Sequence, residues 1–162
     1  MKNPYFELHR EFLDAGAELL ISSGQACVLY GIAAFSKDGD WIIAETDGSC
    51  KAVLDVLAGK DARYRRGAPL DVRWMKMGLT SHFEYMDGDI RIRTDFCSRP
   101  PRIDTSNLWQ MAATRSGINV VDAQSLMILK QTRRARDYIA IGALAEELGL
   151  QADFPELAIE FL

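Results

Sequence analysis

The sequence predicts an α/β (α+β) fold in which helices flank a mixed sheet, and three observations favour it. Residues 41–44 form an uninterrupted apolar run, which is typical of a strand buried on both faces. A turn and an amphipathic helix over residues 50–58 follow, and a strand, a turn and a helix in this order indicate an α/β unit. Residues 80–86 and 90–96 alternate apolar and polar side chains on either side of Asp87-Gly88-Asp89, which predicts an antiparallel hairpin.

The length and composition bound the class of protein. At 162 residues the chain is predicted to be one domain over residues 1–162, with residues 118–162 as a helical C-terminal part packed on it. Apolar content of 48% and charged content of 26% are ordinary for a soluble globular protein. No apolar run approaches the ~18 residues of a membrane span, and a net charge of −4 gives no overall attraction to nucleic acid. Three widely spaced cysteines and the lack of an apolar signal core predict a cytoplasmic protein without a membrane partner.

The first third of the chain is predicted to be mainly helical. Residues 5–22 carry apolar side chains at roughly helical spacing, so we expect a packing helix there. Residues 24–35 follow as a second apolar helix, and Ser23 stands where it could cap that helix. The small residues Ser23-Gly24 make a corner between the two.

The middle of the chain is less regular. Residues 59–69 are basic and rich in turn residues, which predicts a solvated loop, and residues 70–77 fit a strand or a helix equally well. In the second hairpin strand, Arg91, Arg93 and Asp95 share the face opposite the apolar one. An acid beside two arginines on one strand is normally part of a cross-strand salt bridge.

The last third of the chain alternates short elements with longer ones. Residues 107–114 predict a short helix, residues 118–121 a strand, and Asp122 the cap of a further helix. Residues 138–148 predict a closing helix. Its inward residues are expected to be Tyr138, Ile141, Leu144, Ala145 and Leu148.

Two acids stand directly before the apolar strand at residues 41–44. Asp38 and Asp40 are two residues apart, so in an extended chain they project from the same side. At ~4–6 Å their charges repel by several kcal/mol in a partly dry site. A divalent cation with oxygen ligands is the usual way to offset such repulsion.

The corner, the spacing and the paired acids together resemble the nucleotidyltransferase superfamily. Its mark is a Gly-Gly or Gly-Ser corner followed, after a short helical stretch, by Asp-x-Asp; here thirteen residues separate Gly24 from Asp38. The stretch is most similar to a small bacterial branch with toxin-type and antibiotic-modifying members. Further matches to that branch are Gln25-Ala26, Tyr30-Gly31 and Ser36-Lys37-Asp38.

Three positions depart from the pattern of that family. Ser23 stands where glycine is commoner, Ala34 where relatives often carry arginine, and Gly39 where an apolar residue usually separates the acids. Asp-Gly-Asp alone is also an ordinary turn, and the copy at residues 87–89 has that role in the predicted hairpin.

The resemblance implies roles for particular residues. Asp38 and Asp40 would bind Mg²⁺ (or Mn²⁺), and Asp95, in Arg93-Thr94-Asp95-Phe96, would be the third catalytic and metal-binding carboxylate. The backbone at Ser23-Gly24 would hold the phosphates of the NTP, because free N–H groups at a helix start attract anions.

Two lysines and a histidine complete the implied site. Lys37 would contact substrate, and Lys130, which begins a Lys-x-x-x-x-Arg-x-x-Asp-like segment, would place a point charge on the phosphates. That segment, residues 130–137, reads equally well as a solvated, salt-bridged helix face. His82 is a weaker candidate, since a lone strand histidine is more often packed or hydrogen-bonded than catalytic.

The implied activity is metal-dependent transfer of a nucleoside monophosphate from an NTP to a hydroxyl on RNA, protein or a small molecule. Two other classes stay open. One is a degenerate, non-catalytic nucleotide-binding protein, motivated by the three departures. The other is an antitoxin-like or purely structural partner in a toxin–antitoxin pair.

Overall fold

A computed structural model describes residues 2–132 and 134–150 of the chain. The helices are α1 Pro4–Asp14, α2 Ser23–Leu29, α3 Asp47–Ala58, α4 Val72–Lys76, α5 Thr105–Gln110, α6 Ala123–Leu129 and α7 Ala135–Leu150. The strands are β1 Leu19–Ser22, β2 Gly39–Ile43, β3 Arg63–Gly67, β4 Ser81–Asp87, β5 Ile90–Cys97, β6 Ala113–Arg115 and β7 Ile118–Val120. Within these ranges the strands form one seven-stranded mixed sheet of order β3-β4-β5-β2-β1-β7-β6, which confirms the predicted fold class.

The strand that follows the paired acids lies at the centre of the sheet. β2 pairs antiparallel with β1 and parallel with β5, and Trp41, Ile42 and Ile43 are buried. The hairpin of β4 and β5 is also confirmed, with Ser81 opposite Phe96 and Asp87 opposite Ile90. The uninterrupted apolar run and the alternating hairpin therefore predicted the middle of the sheet correctly.

An aromatic cluster fixes β2 against the core. The Trp41 ring stacks on Phe96 at 5.4 Å between centroids, and Phe12 of α1 meets Trp41 edge-on at 5.4 Å. A Cβ atom at Gly39 would lie 2.5 Å from a Tyr5 ring carbon and 2.6 Å from Trp41 ring carbons. Only glycine therefore fits between the two acids, because Tyr5 and Trp41 already fill the space that a side chain would need.

The predicted helices at residues 5–22 and 24–35 are both too long. α1 ends at Asp14, Gly16 has a φ of +96°, and residues 19–22 form the buried strand β1. A short apolar run suits a helix or a buried strand equally, and pairing with β2 decides in favour of the strand. α2 ends at Leu29, two residues before Gly31 at a φ of +76°. Its N-cap is Ser22, not Ser23 as predicted.

Residues 59–69 are not the predicted loop, because residues 63–67 form the edge strand β3. Residues 70–77 resolve to the helix α4, which Asp71 caps by accepting a hydrogen bond from the backbone N–H of Arg73. The helix predicted over residues 107–114 ends at Gln110, and residues 113–115 form the short strand β6 instead.

The C-terminal elements agree more closely with prediction. β7 joins the sheet beside β1, and the Asp122 side chain caps α6 through the backbone N–H of Ser125. In α7, Ile141, Leu144, Ala145 and Leu148 are buried as predicted, whereas Tyr138 is 58% exposed, so its predicted inward orientation is wrong. Of the part predicted at residues 118–162, residues 151–162 lie outside the described residues. No helix in the described part of the chain has the length and apolar content to cross a bilayer.

Candidate active site

A row of polar residues crosses the sheet at one level. His82 of β4 is opposite Asp95 of β5, Asp95 is opposite Asp40 of β2, and Asp40 is opposite Ser22 of β1. Side chains of directly opposed residues project from the same face about 5 Å apart. Residues Ile92, Thr94 and Phe96 of β5 are buried on the other face. The sheet thus places Asp40 and Asp95 side by side, away from the core.

Asp40 is partly buried beside two other acids. Burial, and after it the charges of Asp95 and Asp38, raise the pKa of Asp40 to about 7, while Lys130 and Arg134 act in the opposite direction. Desolvation disfavours a charged carboxylate, and neighbouring negative charges do the same. A positive ion at this place would favour the charged carboxylate and so lower the pKa of Asp40.

Asp38 lies in the loop directly before β2, and buried donors hold that loop. The side-chain amide of Gln25 donates to the backbone oxygens of Ser36 at 2.9 Å and Asp38 at 3.3 Å, and the Tyr5 hydroxyl donates to the Lys37 carbonyl. Within residues 2–132 and 134–150 no donor makes a hydrogen bond to the buried Oδ1 atom of Asp38, whose ion-pair partner Arg93 is 3.7 Å away. A buried carboxylate oxygen without a donor is costly, so this atom suits a cation ligand.

Asp95 contacts two side chains from neighbouring strands, and neither contact follows from a local sequence pattern. Its Oδ1 contacts Nδ1 of His82 at 2.6 Å and a terminal nitrogen of Arg65 at 2.8 Å. His82 is held in turn by the Thr80 hydroxyl, 2.9 Å from Nε2. Asp95 thus takes part in a cross-strand salt bridge with Arg65, whereas Arg91 and Arg93 of its own strand contact Glu84 and Asp38, at 3.9 Å and 3.7 Å.

A cavity of about 230 Å³ opens beside this row, and its lining includes Ser23, Asp40, His82 and Asp95. Ser23 has a φ of +53°, a left-handed conformation that glycine adopts without strain. At Gly24 a Cβ atom would lie 2.1 Å from the Ser36 hydroxyl oxygen, so only glycine fits. The small-residue corner therefore lies against the same cavity as two of the acids.

Lys130 is the C-cap residue of α6, and its side chain is only 11% exposed. Its ammonium lies 3.3 Å from Oδ1 of the buried Asp137, whose Oδ2 accepts from Thr132 and Arg134. The helix breaks between α6 and α7, so residues 130–137 do not form one continuous helix face. Lys130 is close enough to the acids to lower the pKa of Asp40.

Lys37 does not line the 230 Å³ cavity. It is exposed and borders a separate groove of about 550 Å³ together with Tyr5, Phe35 and Arg93. That groove adjoins the acid site through Arg93, which reaches Asp38. Ser23, Asp40 and Asp95 therefore share one cavity, whereas Asp38 and Lys37 lie at its neighbouring loop.

The carboxylates of Asp38, Asp40 and Asp95 are the residues of this site that could hold a divalent ion. The described residues hold no ready-made group of three or more His, Cys, Asp or Glu ligands. Oδ1 of Asp38 nevertheless has no hydrogen bond among the described residues, and the pKa of Asp40 stays raised although Lys130 and Arg134 act to lower it. Oxygen ligands and an incomplete protein shell are typical of Mg²⁺ bound together with a phosphate substrate.

Two solved structures from Helicobacter pylori share this architecture. One, a candidate nucleotidyltransferase, has a TM-score of 0.58 at 14% identity, over 88% of this chain and 67% of that one. The other, of the protein JHP933, has a TM-score of 0.54 at 13% identity, over 88% of this chain and 65% of that one. The chain spans about two thirds of the length of these neighbours, and the likeness shows a nucleotidyltransferase-like fold. No protein-family model and no curated protein matches the chain.

The raised pKa of Asp40 predicts how the stability of the metal-free protein depends on pH. The folded-state pKa is about 7, above the ordinary value of 3.8, so between these values the folded chain keeps a proton that the unfolded chain has lost. The free energy of unfolding should therefore fall as the pH rises through this window and level off above it. Urea unfolding of wild type and Asp40→Asn across the window measures the difference. The variant should lack this component, and the same decline in both proteins would contradict the assignment.

Proposed function

We propose that the protein catalyses metal-dependent transfer of a nucleoside monophosphate from an NTP to a hydroxyl acceptor. The observation that carries the proposal is the register of the sheet, which places Asp95 directly beside Asp40 at a cavity bordered by Ser23. The sequence motifs favour the small bacterial branch with toxin-type and antibiotic-modifying members. Three free cysteines, Cys27, Cys50 and Cys97, fit a reducing cytoplasm as the site of action.

The acids divide the chemistry between them. Asp38 and Asp40 would hold Mg²⁺ (or Mn²⁺), with Asp95 contributing an oxygen to the same ion. The ion, when bound, neutralises charge on the α-phosphate and aligns the attacking and leaving oxygens. Asp95 accepts the proton of the acceptor hydroxyl while the oxygen of that hydroxyl forms a bond to the α-phosphorus. The bond from that phosphorus to the bridging oxygen then breaks, and pyrophosphate leaves.

The phosphates of the substrate need positively charged or N–H partners other than the three acids Asp38, Asp40 and Asp95. The backbone at Ser23-Gly24 borders the acid site and offers N–H groups at the start of a helix. Lys130 brings a mostly buried ammonium into electrostatic range of Asp40. Lys37 is exposed next to Asp38 and would contact the substrate from the neighbouring groove that it lines.

Lys130→Ala should weaken NTP binding about tenfold or more, because a partly dry ammonium–phosphate contact contributes at least ~1.4 kcal/mol. Titration of a fluorescent NTP analogue in the presence of Mg²⁺ measures the affinity. Lys51→Ala is the matched control, because Lys51 is an exposed helix lysine paired with Asp55. An unchanged NTP affinity in Lys130→Ala would show that Lys130 forms an ion pair with the buried Asp137 and does not contact the phosphates.

The proposal is tested with each of the four NTPs, Mg²⁺ and cell extract. Label from one or more NTPs should become covalently attached to RNA, protein or a small molecule, and a chelator should abolish it. Separation of the three product classes identifies the acceptor. If NTP binds but is never transferred, the protein is a non-catalytic nucleotide binder, the alternative favoured by the engagement of Asp95 with Arg65 and His82.

A further inference from the structure

A β-bulge in the edge strand β3 brings Arg65 into contact with Asp95, one of the three acids of the site. Tyr64 is opposite Phe83 and Arg66 is opposite His82, so Arg65 is the extra residue between them. A bulge opposes two residues to one, bends the strand and changes the direction of a side chain. Here the Arg65 side chain passes over β4 and reaches Asp95 on β5.

The contact between Arg65 and Asp95 is well shielded from solvent. The terminal nitrogen of Arg65 lies 2.8 Å from Oδ1 of Asp95, and the two side chains are 23% and 18% exposed. Arg63, two residues away, is 78% exposed and pairs with Glu84. Among the described residues the Nε atom of Arg65 is buried without a hydrogen-bond partner. Arg65 is therefore held in contact with Asp95 although one of its N–H groups is left unsatisfied.

The position of Arg65 matters for the charge of the site. Asp38, Asp40 and Asp95 together are three negative groups, and each close pair repels by several kcal/mol in a partly dry site. In two-ion phosphoryl-transfer sites a second divalent cation offsets this repulsion and contacts the attacking oxygen. The guanidinium of Arg65 already occupies Oδ1 of Asp95, where it supplies a permanent positive charge.

We propose that Arg65 is a positioning residue of this site, which orients the Asp95 carboxylate and lets the three acids work with a single divalent ion. The inference rests on the proposed function. His82 shares Oδ1 with Arg65, which leaves Oδ2 of Asp95 as the oxygen that would contribute to an ion held by Asp38 and Asp40. The bulged edge strand thereby becomes part of the transfer site.

Manganese stoichiometry tests the single-ion arrangement without requiring turnover. The protein is titrated with Mn²⁺ in the presence of a non-hydrolysable α,β-methylene NTP mixture, and bound Mn²⁺ is counted by electron paramagnetic resonance. We expect one Mn²⁺ per chain and the spectrum of an isolated ion. Two Mn²⁺ per chain with an exchange-coupled spectrum would overturn the proposal.

Kinetics of Arg65→Met, with Arg63→Met as the matched control, test the positioning role. Arg65→Met should lower kcat about 10- to 100-fold, as expected for a displaced catalytic group, and leave the KM for NTP within about threefold. Because Oδ1 of Asp95 then loses the guanidinium and keeps only His82, a second Mn²⁺ can take the place of the lost charge, and turnover should recover partly at high Mn²⁺. Arg65→Lys, which keeps the positive charge, should retain more activity than Arg65→Met. Equal behaviour of the two methionine variants, or no response to Mn²⁺, would contradict the role.

Nuclear magnetic resonance separates failure of this inference from failure of the proposed function. The chain has two histidines, so the Hε1 region of the imidazole spectrum contains one signal from His82 and one from the buried His9. At a fixed pH, Arg65→Met should shift the His82 signal and leave that of His9 in place, whereas Arg63→Met should shift neither. If Arg65→Met leaves the His82 signal in place and the wild-type enzyme is active, the role of Arg65 is refuted and the proposed function stands. If wild type neither binds Mn²⁺ nor turns over NTP, the proposed function fails and this inference with it.

Discussion

Asp40→Asn is expected to reduce nucleotidyl transfer about 10³-fold or more while the protein stays folded. The variant keeps the shape of the side chain and removes the charge that holds the ion, and loss of ion-mediated stabilisation is worth several kcal/mol. Folding should not suffer, because burial and the neighbouring acids already disfavour the charged form of Asp40, as its raised pKa of about 7 indicates. The rate of label transfer at saturating Mg²⁺ and the urea midpoint measure the two effects.

The chain contains its own control for this substitution. Asp89 belongs to the second Asp-Gly-Asp tripeptide, at the exposed turn of the β4–β5 hairpin. Asp89→Asn should transfer label at the wild-type rate. A rate in Asp40→Asn within about tenfold of wild type would show that Asp40 does not hold a catalytic ion.

Gly39→Val should destabilise the fold by about 3 kcal/mol, although an apolar residue at this position is common in the resembled family. The new Cβ would approach ring carbons of Tyr5 and Trp41 to 2.5–2.6 Å. Both rings belong to the cluster that packs β2 against α1, so they cannot move without disturbing Phe12 and Phe96. Overpacking of this kind typically costs about 1–3 kcal/mol, and more where the neighbours are rigid.

Urea unfolding of Gly39→Val beside Gly48→Ala measures this effect. Gly48 lies in the first turn of α3, where a Cβ atom would meet nothing within 4 Å, so alanine there should be neutral or slightly stabilising. Gly39→Val should also weaken Mn²⁺ binding, because the residue lies between the two acids. A Gly39→Val protein as stable as wild type would mean that the aromatic cluster is less rigid than its packing indicates.

The parts of the fold that could be predicted were those with a strong local pattern. The continuous apolar run of β2 and the alternation of β5 each specify one structure, and both are confirmed. β1 was mistaken for helix because its short apolar run carries no distinguishing period, and only its pairing with β2 and β7 makes it a strand. β3 was mistaken for a loop because its side chains are polar and mostly exposed, as an edge strand permits.

In the candidate site, too, residues in local motifs could be predicted, whereas contacts between segments far apart in the sequence could not. The motif positions Ser23, Asp40 and Asp95 could be selected from the sequence, and the structure brings them to one cavity. Arg65 could not be selected, because its contact with Asp95 spans thirty residues and depends on a bulge. Gly39 was noted as a departure from the family pattern, but its cause, the rings of Tyr5 and Trp41, lies in packing that no local pattern reveals.

Transfer of the α-phosphate itself is the most direct test of the central claim. The protein is incubated with Mg²⁺, cell extract and the NTP that it uses, labelled in one sample at the α-phosphate and in a parallel sample at the γ-phosphate. The account predicts that the α-label becomes covalently attached to an acceptor, that the γ-label leaves as pyrophosphate, and that Asp40→Asn abolishes both. Attachment of the γ-label, or NTP binding without attachment of either label, would contradict it.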